Sequence, residues 1–185
     1  MSAVLELPRH RFNRVQYERM TEAGVFGPED RLELLDGEII DMAPQKSRHA
    51  TAVTLVAEAL RTLFGPGTTV RVQLPFSLDD RSEPEPDVTV VPGNPRDYRD
   101  AHPSRALLIC EVSDTTLAYD RGRKLVAYAR AGIPEYWILD LTAETLEVCR
   151  KPEHSGYAQR WSVAANGLIS AEGSAQTILV TDLLP

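Results

Sequence analysis

The feature that most constrains the fold is a strand–helix–strand pattern between residues 107 and 140. Its first run, "ALLICEV", is almost continuously apolar, which is typical of a central strand covered on both faces. The segment "YDRGRKLVAYARAG" predicts a helix that ends at Gly132, and "PEYWILDL" predicts a second buried strand. The pattern therefore predicts two parallel strands joined by a right-handed crossover helix.

The residues before this unit predict an extended arm, two helices and a hairpin. The arm covers residues 1–11, and "RFNRVQYERMTEAGVFG" predicts a short helix closed by Gly24. In "RLELLDGEIIDM", the pair Asp36-Gly37 favours a type I′ hairpin turn. The segment "SRHATAVTLVAEALRTLF" predicts a helix with Ser47 as its N-cap. Its apolar stripe is His49, Val53, Val56, Leu60 and Leu63.

The remaining segments complete the predicted sheet. "TTVRVQLPFSL" alternates as a half-buried strand, with Val70, Val72, Leu74 and Phe76 on one side, and "DVTVV" is a short strand. After residue 141, "ETLEVCRK", "GYAQRWSV" and "AQTILVTDLL" predict a C-terminal antiparallel extension. The fold class is therefore α/β (α+β), a mixed β-sheet flanked by helices. No repeat or linker divides the chain, so we expect one domain over residues 1–185 with its core at about 47–141.

The charge and the cysteines limit the function classes. A net charge of −7 and a pI near 5.1 argue against a passive, charge-driven nucleic-acid binder. Basic strips at "RHRFNR", "KSRH" and "RGRK" would suffice for an enzyme acting on nucleic acid, although each also fits solvated surface charge. Cys110 and Cys149 lie in apolar segments, which indicates reduced, buried thiols. With no CxxC pair, secretory signal or membrane-length apolar run, we expect a cytoplasmic protein with no cysteine-cluster zinc site and no membrane association.

Two acids are predicted to meet at one edge of the sheet. Asp87 begins one strand and Glu111 ends the next, and antiparallel neighbours place these positions side by side. Two adjacent carboxylates repel unless a cation or a proton lies between them. Their oxygen atoms suit Mg²⁺ or Mn²⁺. A solvated strand end remains the alternative for each acid taken alone.

Lys124 lies on the helix that follows Glu111. An ammonium group there could stabilise the charge that develops in phosphoryl transfer. The alternative is a surface pair with Asp120, four residues earlier, which stabilises a helix by roughly 0.2–0.5 kcal/mol.

The segments "PEPDVTVV" and "LLICEVSDTTLAYDRGRKLVAYARAGIPEYWILDL" resemble the Uma-two family, restriction-endonuclease-like proteins of the PD-(D/E)XK nuclease superfamily. The resemblance extends from about Phe12 to Leu141. It implies a restriction-endonuclease-like fold and a metal-dependent endonuclease that hydrolyses DNA phosphodiester bonds. It also implies Mg²⁺ or Mn²⁺ as cofactor, DNA as substrate and a homodimer as the assembly.

The resemblance also implies roles for individual residues. Asp87, after Pro86, matches the first acid of the motif and Glu111 the second. The backbone carbonyl of Val112 is implied as a further metal ligand. The motif's lysine is expected two places after the glutamate, where this chain has Ser113.

The resemblance assigns the missing ammonium to Lys124, whose long stem can reach the strand end. Glu33 matches a further acid of the family that could complete the metal shell. His49 lies at the start of a helix that the family places beside this edge, and a hydrogen-bonded core histidine is the alternative.

Two other functions remain open. A nuclease fold that no longer cleaves would serve as a binding or assembly module, which the acidic charge and the lack of a separate DNA-reading domain favour. The intact acid–acid–lysine set argues against it. The other is hydrolysis of a non-nucleic-acid phosphoester through the same metal. In "PEYWILDL", Glu135 is a weaker candidate and Trp137 is expected in the core.

Overall fold

The structure is a computed structural model that describes residues 8–185, so most of the predicted N-terminal arm lies outside the described residues. The chain order is α1 (Arg14–Glu22), β1 (Leu32–Leu35), β2 (Glu38–Asp41), α2 (Ser47–Phe64), β3 (Thr68–Val72), β4 (Val88–Pro92), β5 (Leu108–Ser113), α3 (117–130), β6 (Glu135–Asp140), β7 (Thr145–Glu153), β8 (Gly156–Ala164), β9 (Leu168–Ile169) and β10 (Ile178–Leu179).

Six strands form a mixed sheet in the order β3-β4-β5-β6-β7-β8. All neighbours are antiparallel except β5 and β6, which are parallel and joined by α3, as the strand–helix–strand pattern predicts. Strand β4 pairs with β5 in a register that matches Val88 with Cys110. This register brings Asp87, just before β4, to the position opposite Glu111.

Helices cover both faces of this sheet. Helix α2 packs its predicted apolar stripe against one face of the central strands, and α3 packs on the other face. All six residues of β5 and all six of β6 are buried. This explains why both strands lack polar alternation, since neither face of the central pair meets water. The predicted mixed sheet flanked by helices is therefore confirmed.

The N-terminal elements follow from local sequence signals. The Asn13 side chain accepts a hydrogen bond from the Gln16 backbone in a reciprocal capping box, which starts α1. Asp36 and Gly37 have φ angles of 52° and 78°, as a type I′ turn requires. A Cβ atom at Gly37 would lie 2.8 Å from the Cβ of Arg11, so this turn requires glycine.

Two local predictions were wrong. Ser47 is the first residue of α2, and Lys46 is its N-cap without a side-chain cap hydrogen bond. Strand β3 ends at Val72 because Gln73 adopts a φ of 50°, which breaks the predicted alternation. Leu74 is consequently 45% exposed, and Phe76 packs in the cluster on the α3 side of the sheet.

The C-terminal extension is antiparallel, but its last part differs from the prediction. Strands β7 and β8 join the main sheet, whereas β10 pairs with β9 in a separate two-stranded hairpin. Residues Val180–Leu183 then form a 3₁₀-helix whose apolar residues pack with α2. The core therefore extends well beyond residue 141.

Both cysteines, Cys110 and Cys149, are buried and free, as predicted. No helix within residues 8–185 has the length and hydropathy needed to cross a membrane.

Candidate active site

The structure brings Asp87 and Glu111 together at one edge of the sheet. The Asp87 backbone N–H donates to Glu111 Oε2 at 3.2 Å, and Asp87 Oδ2 accepts from the backbone N–H of Val112 at 2.9 Å. The register of β4 and β5 sets this contact, so the position of the pair depends on the sheet and not on a mobile loop. The two acids can thus act on one ligand.

Glu111 is 3% exposed and is held by two side chains of α3. Its Oε1 accepts from Lys124 Nζ at 3.0 Å and from the Tyr128 hydroxyl at 2.7 Å. Burial raises the pKa of Glu111 to about 8; Lys124 opposes this rise and neighbouring carboxylates add to it. The carboxylate therefore lies where additional positive charge would stabilise its ionised form.

Lys124 lies between two glutamates. Its Nζ is 3.3 Å from Glu33 Oε2 in addition to its contact with Glu111, and it lies 5.6 Å from the centre of the Tyr119 ring. Burial alone would lower the pKa of Lys124, but the carboxylates of Glu111 and Glu33 raise it well above its usual value. The site therefore holds a permanent ammonium group.

A π-helical turn at Asp120–Lys124 interrupts α3. Asp120 and Lys124 are 2% and 6% exposed, so the alternative of a solvated surface pair was wrong. Such turns widen a helix locally and occur often at functional sites. Here the turn directs two charged side chains of one helix towards the sheet edge.

Ser113, at the position where the motif expects lysine, supports α3. Its hydroxyl donates to Asp120 Oδ2 at 2.7 Å, and the Thr116 hydroxyl donates to the same atom at 2.7 Å. Burial raises the pKa of Asp120, although Lys124 and the two hydroxyl donors lower it. Ser113 thus fixes the start of the helix that supplies the ammonium.

Glu33 lies on β1 and is 1% exposed, and both of its carboxylate oxygens contact other residues. Its Oε1 accepts from the Tyr119 hydroxyl at 2.9 Å, and its Oε2 accepts from the Glu85 backbone N–H at 3.2 Å and contacts Lys124. The structure places Glu33 as a partner of Lys124, through which the hairpin of β1 and β2 docks on the site.

His49 faces the first acid. Its Nε2 is 3.3 Å from Asp87 Oδ2, and its buried Nδ1 has no hydrogen-bond partner among residues 8–185. The hydrogen bond with Asp87 raises the pKa of His49, against the effect of burial. Burial would raise the pKa of Asp87, but His49 and the Val112 N–H lower it overall. Asp87 is therefore ionised at neutral pH.

Three contact residues were missed from the sequence. Gln73 Nε2 donates to Asp87 Oδ1 at 2.9 Å, and Tyr119 and Tyr128 donate to Glu33 and Glu111. Tyr128 lies four residues after Lys124, so helical spacing could have indicated that the two side chains share a face. The contact of Gln73 depends on its left-handed backbone, for which the sequence carries no signal.

Asp87, Glu111 and Lys124 line one cleft of about 350 Å³. Its lining includes seven carboxyl groups and three Lys or Arg side chains, so acidic groups outnumber cations. The carboxylates are Glu33, Asp41, Glu85, Asp87, Glu111, Asp114 and Asp120, and the cations are Arg31, Lys46 and Lys124.

The predicted basic strips carry little free charge. Arg11 and Arg123 each pair with Glu38 at 2.8 and 2.7 Å, and Lys46 lies 3.5 Å from Asp114. Arg121 pairs with Glu147. Ordinary surface charge therefore describes these arginines and Lys46, whereas Lys124, the last residue of "RGRK", is buried in the site.

Carboxylate oxygens of the kind that line the cleft are the ligands that a hard divalent cation prefers. Within residues 8–185, no group of three or more His, Cys, Asp or Glu side chains is arranged to hold a metal. Mg²⁺ usually takes one or two protein carboxylates and keeps several waters. Asp87 and Glu111 supply this number, in a cleft with excess negative charge.

The mixed sheet flanked by helices is a restriction-endonuclease-like fold, and Asp87, Glu111 and Lys124 meet at one of its edges. A family model described as "Uma2: Putative restriction endonuclease" matches residues 14–175, and the chain belongs to this family. The structure is similar to the crystal structure at 1.96 Å resolution of a putative nuclease belonging to DUF820 from Anabaena variabilis ATCC 29413. The TM-score is 0.66 at 15% identity, covering 84% of this chain and 90% of that chain. Comparison with curated proteins found no match.

Proposed function

We propose that this protein is a divalent-metal-dependent endonuclease that hydrolyses DNA phosphodiester bonds. The observation that carries the proposal is the meeting of Asp87, Glu111 and Lys124 at one edge of the cleft. Membership of a putative restriction endonuclease family and the nuclease-like fold support it.

Asp87 and Glu111, with the backbone carbonyl of Val112, would hold Mg²⁺ or Mn²⁺. When bound, such an ion polarises a phosphoryl oxygen and lowers the pKa of a coordinated water. The hydrogen bonds from His49 and Gln73 orient Asp87, since they fix both of its carboxylate oxygens.

Lys124 stabilises the negative charge that develops on the phosphate in the transition state. Its ammonium is charged at every relevant pH because Glu111 and Glu33 raise its pKa. Glu33 and Tyr119 limit its movement, so the ammonium is positioned before the substrate arrives. Preorganised charge of this kind is a large source of rate enhancement.

The proposal is tested by cleavage of supercoiled and single-stranded DNA with Mn²⁺, comparing the wild type with Glu111→Gln and Lys124→Ala. Glu58→Gln, an exposed glutamate on α2, is the matched control. We expect cleavage by the wild type and the control, and its loss in both site variants. Activity that survives both site substitutions would overturn the assigned site.

A second candidate is a binding or assembly module without cleavage. It is favoured because the oxygens of Asp87 and Glu111 already contact protein donors, including Gln73, Lys124 and Tyr128. DNA binding without cleavage, together with calorimetry that finds no Mg²⁺ or Mn²⁺ binding, would establish this function instead.

A further inference from the structure

We infer that the cleft accepts single-stranded DNA and excludes a continuous duplex. This inference rests on the proposed nuclease function and names the substrate class of the same site.

The depth of the reacting groups is the first argument. Glu111 and Lys124 are nearly inaccessible, and the Asp87 side chain is 14% exposed. A phosphate must therefore enter the cleft to reach them. A duplex presents its phosphates on a stiff helix with a persistence length of about 50 nm, so it cannot bend one phosphate into the cleft at low cost.

The size of the cleft is the second argument. Its volume of about 350 Å³ lies at the lower end of the roughly 300–1,000 Å³ typical of small-molecule pockets, enough for about one nucleotide. The lining includes residues 40–46, at the end of β2 and after it, and residues 114–116 after β5. A single strand can place one nucleotide in this cleft, whereas a duplex must first unstack and unpair that nucleotide.

The charge around the cleft is the third argument. Proteins that track a duplex neutralise several phosphates with Lys and Arg side chains, often about 6–10 of them. Here Lys46, Arg48 and Arg123 pair with Asp114, Glu144 and Glu38. Carboxylates also outnumber cations in the cleft itself. This surface suits a ligand that needs few phosphate contacts.

An apolar wall gives a single strand an additional contact. Ile40, Met42, Ala43 and Pro44 line the cleft on the side of β2, and Ala43 and Pro44 are exposed. An unstacked base can pack on such a wall, but a base paired within a duplex cannot reach it.

The test compares initial cleavage rates, with Mn²⁺, of one labelled oligonucleotide free and annealed to its complement. We expect the free strand to be cut at least about tenfold faster, because the duplex must first open. Equal or faster cleavage of the duplex would overturn the inference.

A small phosphodiester, bis(p-nitrophenyl) phosphate, separates this inference from the proposed function. Hydrolysis of this compound by the wild type and not by Glu111→Gln supports the nuclease chemistry whatever the strand preference. If no substrate is cleaved, the proposed function fails. Fluorescence anisotropy of Glu111→Gln with Ca²⁺ then decides the inference: tighter binding of the free strand supports it, and equal or tighter binding of the duplex overturns it.

A narrowing substitution tests the cleft directly. Ala43→Trp adds a large side chain to the exposed wall, whereas Ala158→Trp adds the same side chain to the exposed surface of β8. We expect Ala43→Trp to reduce single-strand cleavage at least about tenfold, as a misplaced substrate phosphate would. Ala158→Trp should cut at the wild-type rate. Equal rates for the two variants would contradict entry through this cleft.

Discussion

Glu111 and Glu135 are both buried glutamates in the central parallel strands, yet they do different things. Glu135 Oε1 accepts from Trp137 Nε1 at 2.7 Å and from Arg150 Nε and Nη2 at 2.9 and 2.7 Å. Its Oε2 accepts from the Glu172 backbone N–H at 2.6 Å. These donors satisfy the Glu135 carboxylate inside the protein. Through them Glu135 links the segment around Glu172 to β6 and β7.

Glu111 has comparable partners but lies in a cleft. It shares Lys124 with Glu33 and lies against Asp87, so one ammonium serves several carboxylates. Arg150, by contrast, meets Glu135 with two nitrogen atoms. Burial and an ion pair therefore do not identify a functional glutamate. What distinguishes Glu111 is that it shares its ammonium partner with a second carboxylate and lines a cleft.

The largest effect is expected for Glu111→Gln. The amide keeps the shape of the side chain but cannot ionise to bind a cation, so cleavage should fall at least about 10³-fold. Circular dichroism and thermal melting should show an intact fold. If Glu111→Gln loses activity only to the extent that it unfolds, then Glu111 has a structural role like that of Glu135.

Glu135→Ala should have the opposite pattern. Removing the carboxylate leaves Arg150 without its partner, which we expect to cost about 3 kcal/mol in the free energy of unfolding. Urea unfolding measures this cost, and Glu172→Ala, an exposed side chain nearby, should change it by less than about 0.5 kcal/mol. The folded fraction of Glu135→Ala should keep its cleavage activity. Loss of activity there would show that Glu135 is part of the site.

Glu33→Gln tests whether Glu33 positions the Lys124 ammonium that it shares with Glu111. The substitution weakens the hold on Lys124 without touching Asp87 or Glu111, so we expect cleavage to fall by about 10–100-fold, mainly in kcat. Tyr119→Phe removes one hydrogen bond to Glu33 and should have a smaller effect in the same direction. An unchanged kcat with a raised KM for Glu33→Gln would contradict a positioning role.

Glu83 is a third buried glutamate, and unlike Glu111 and Glu135 it has one carboxylate oxygen without a hydrogen bond. Its Oε2 is buried and 3.8 Å from Arg14 Nε, and burial raises the pKa of Glu83 from 4.5 to about 7. The folded protein therefore keeps a proton that the unfolded chain loses near pH 4.5, so stability falls as the pH rises from about 4.5 to about 7.

Glu83→Gln should remove this fall in stability, because glutamine does not titrate. The variant should be more stable than the wild type above pH 7 by about 1–2 kcal/mol and equally stable near pH 4.5. Chemical unfolding at several pH values measures the difference. A difference that does not depend on pH would show that folding does not raise the pKa of Glu83.

The sequence carries most of the architecture. The apolar runs before Glu111 and after Gly132 predict the parallel pair, and strand order alone predicts that Asp87 and Glu111 approach each other. These features depend on local patterns and on the general geometry of sheets.

The remaining features depend on distant or strained contacts. The π-helical turn that buries Lys124 and the left-handed backbone of Gln73 have no local signal. The role of Glu135 depends on Arg150 and Glu172, which lie 15 and 37 residues further along the chain. Such residues can be assigned only when the fold brings their partners together.

The most direct test of the central claim is calorimetric titration of the protein with Mn²⁺, without DNA. We compare the wild type with Asp87→Ala and with Asp182→Ala, an exposed aspartate far from the cleft in sequence. The account predicts that the wild type and Asp182→Ala bind Mn²⁺ and that Asp87→Ala does not. Binding that is absent in the wild type, or unchanged in Asp87→Ala, would contradict it.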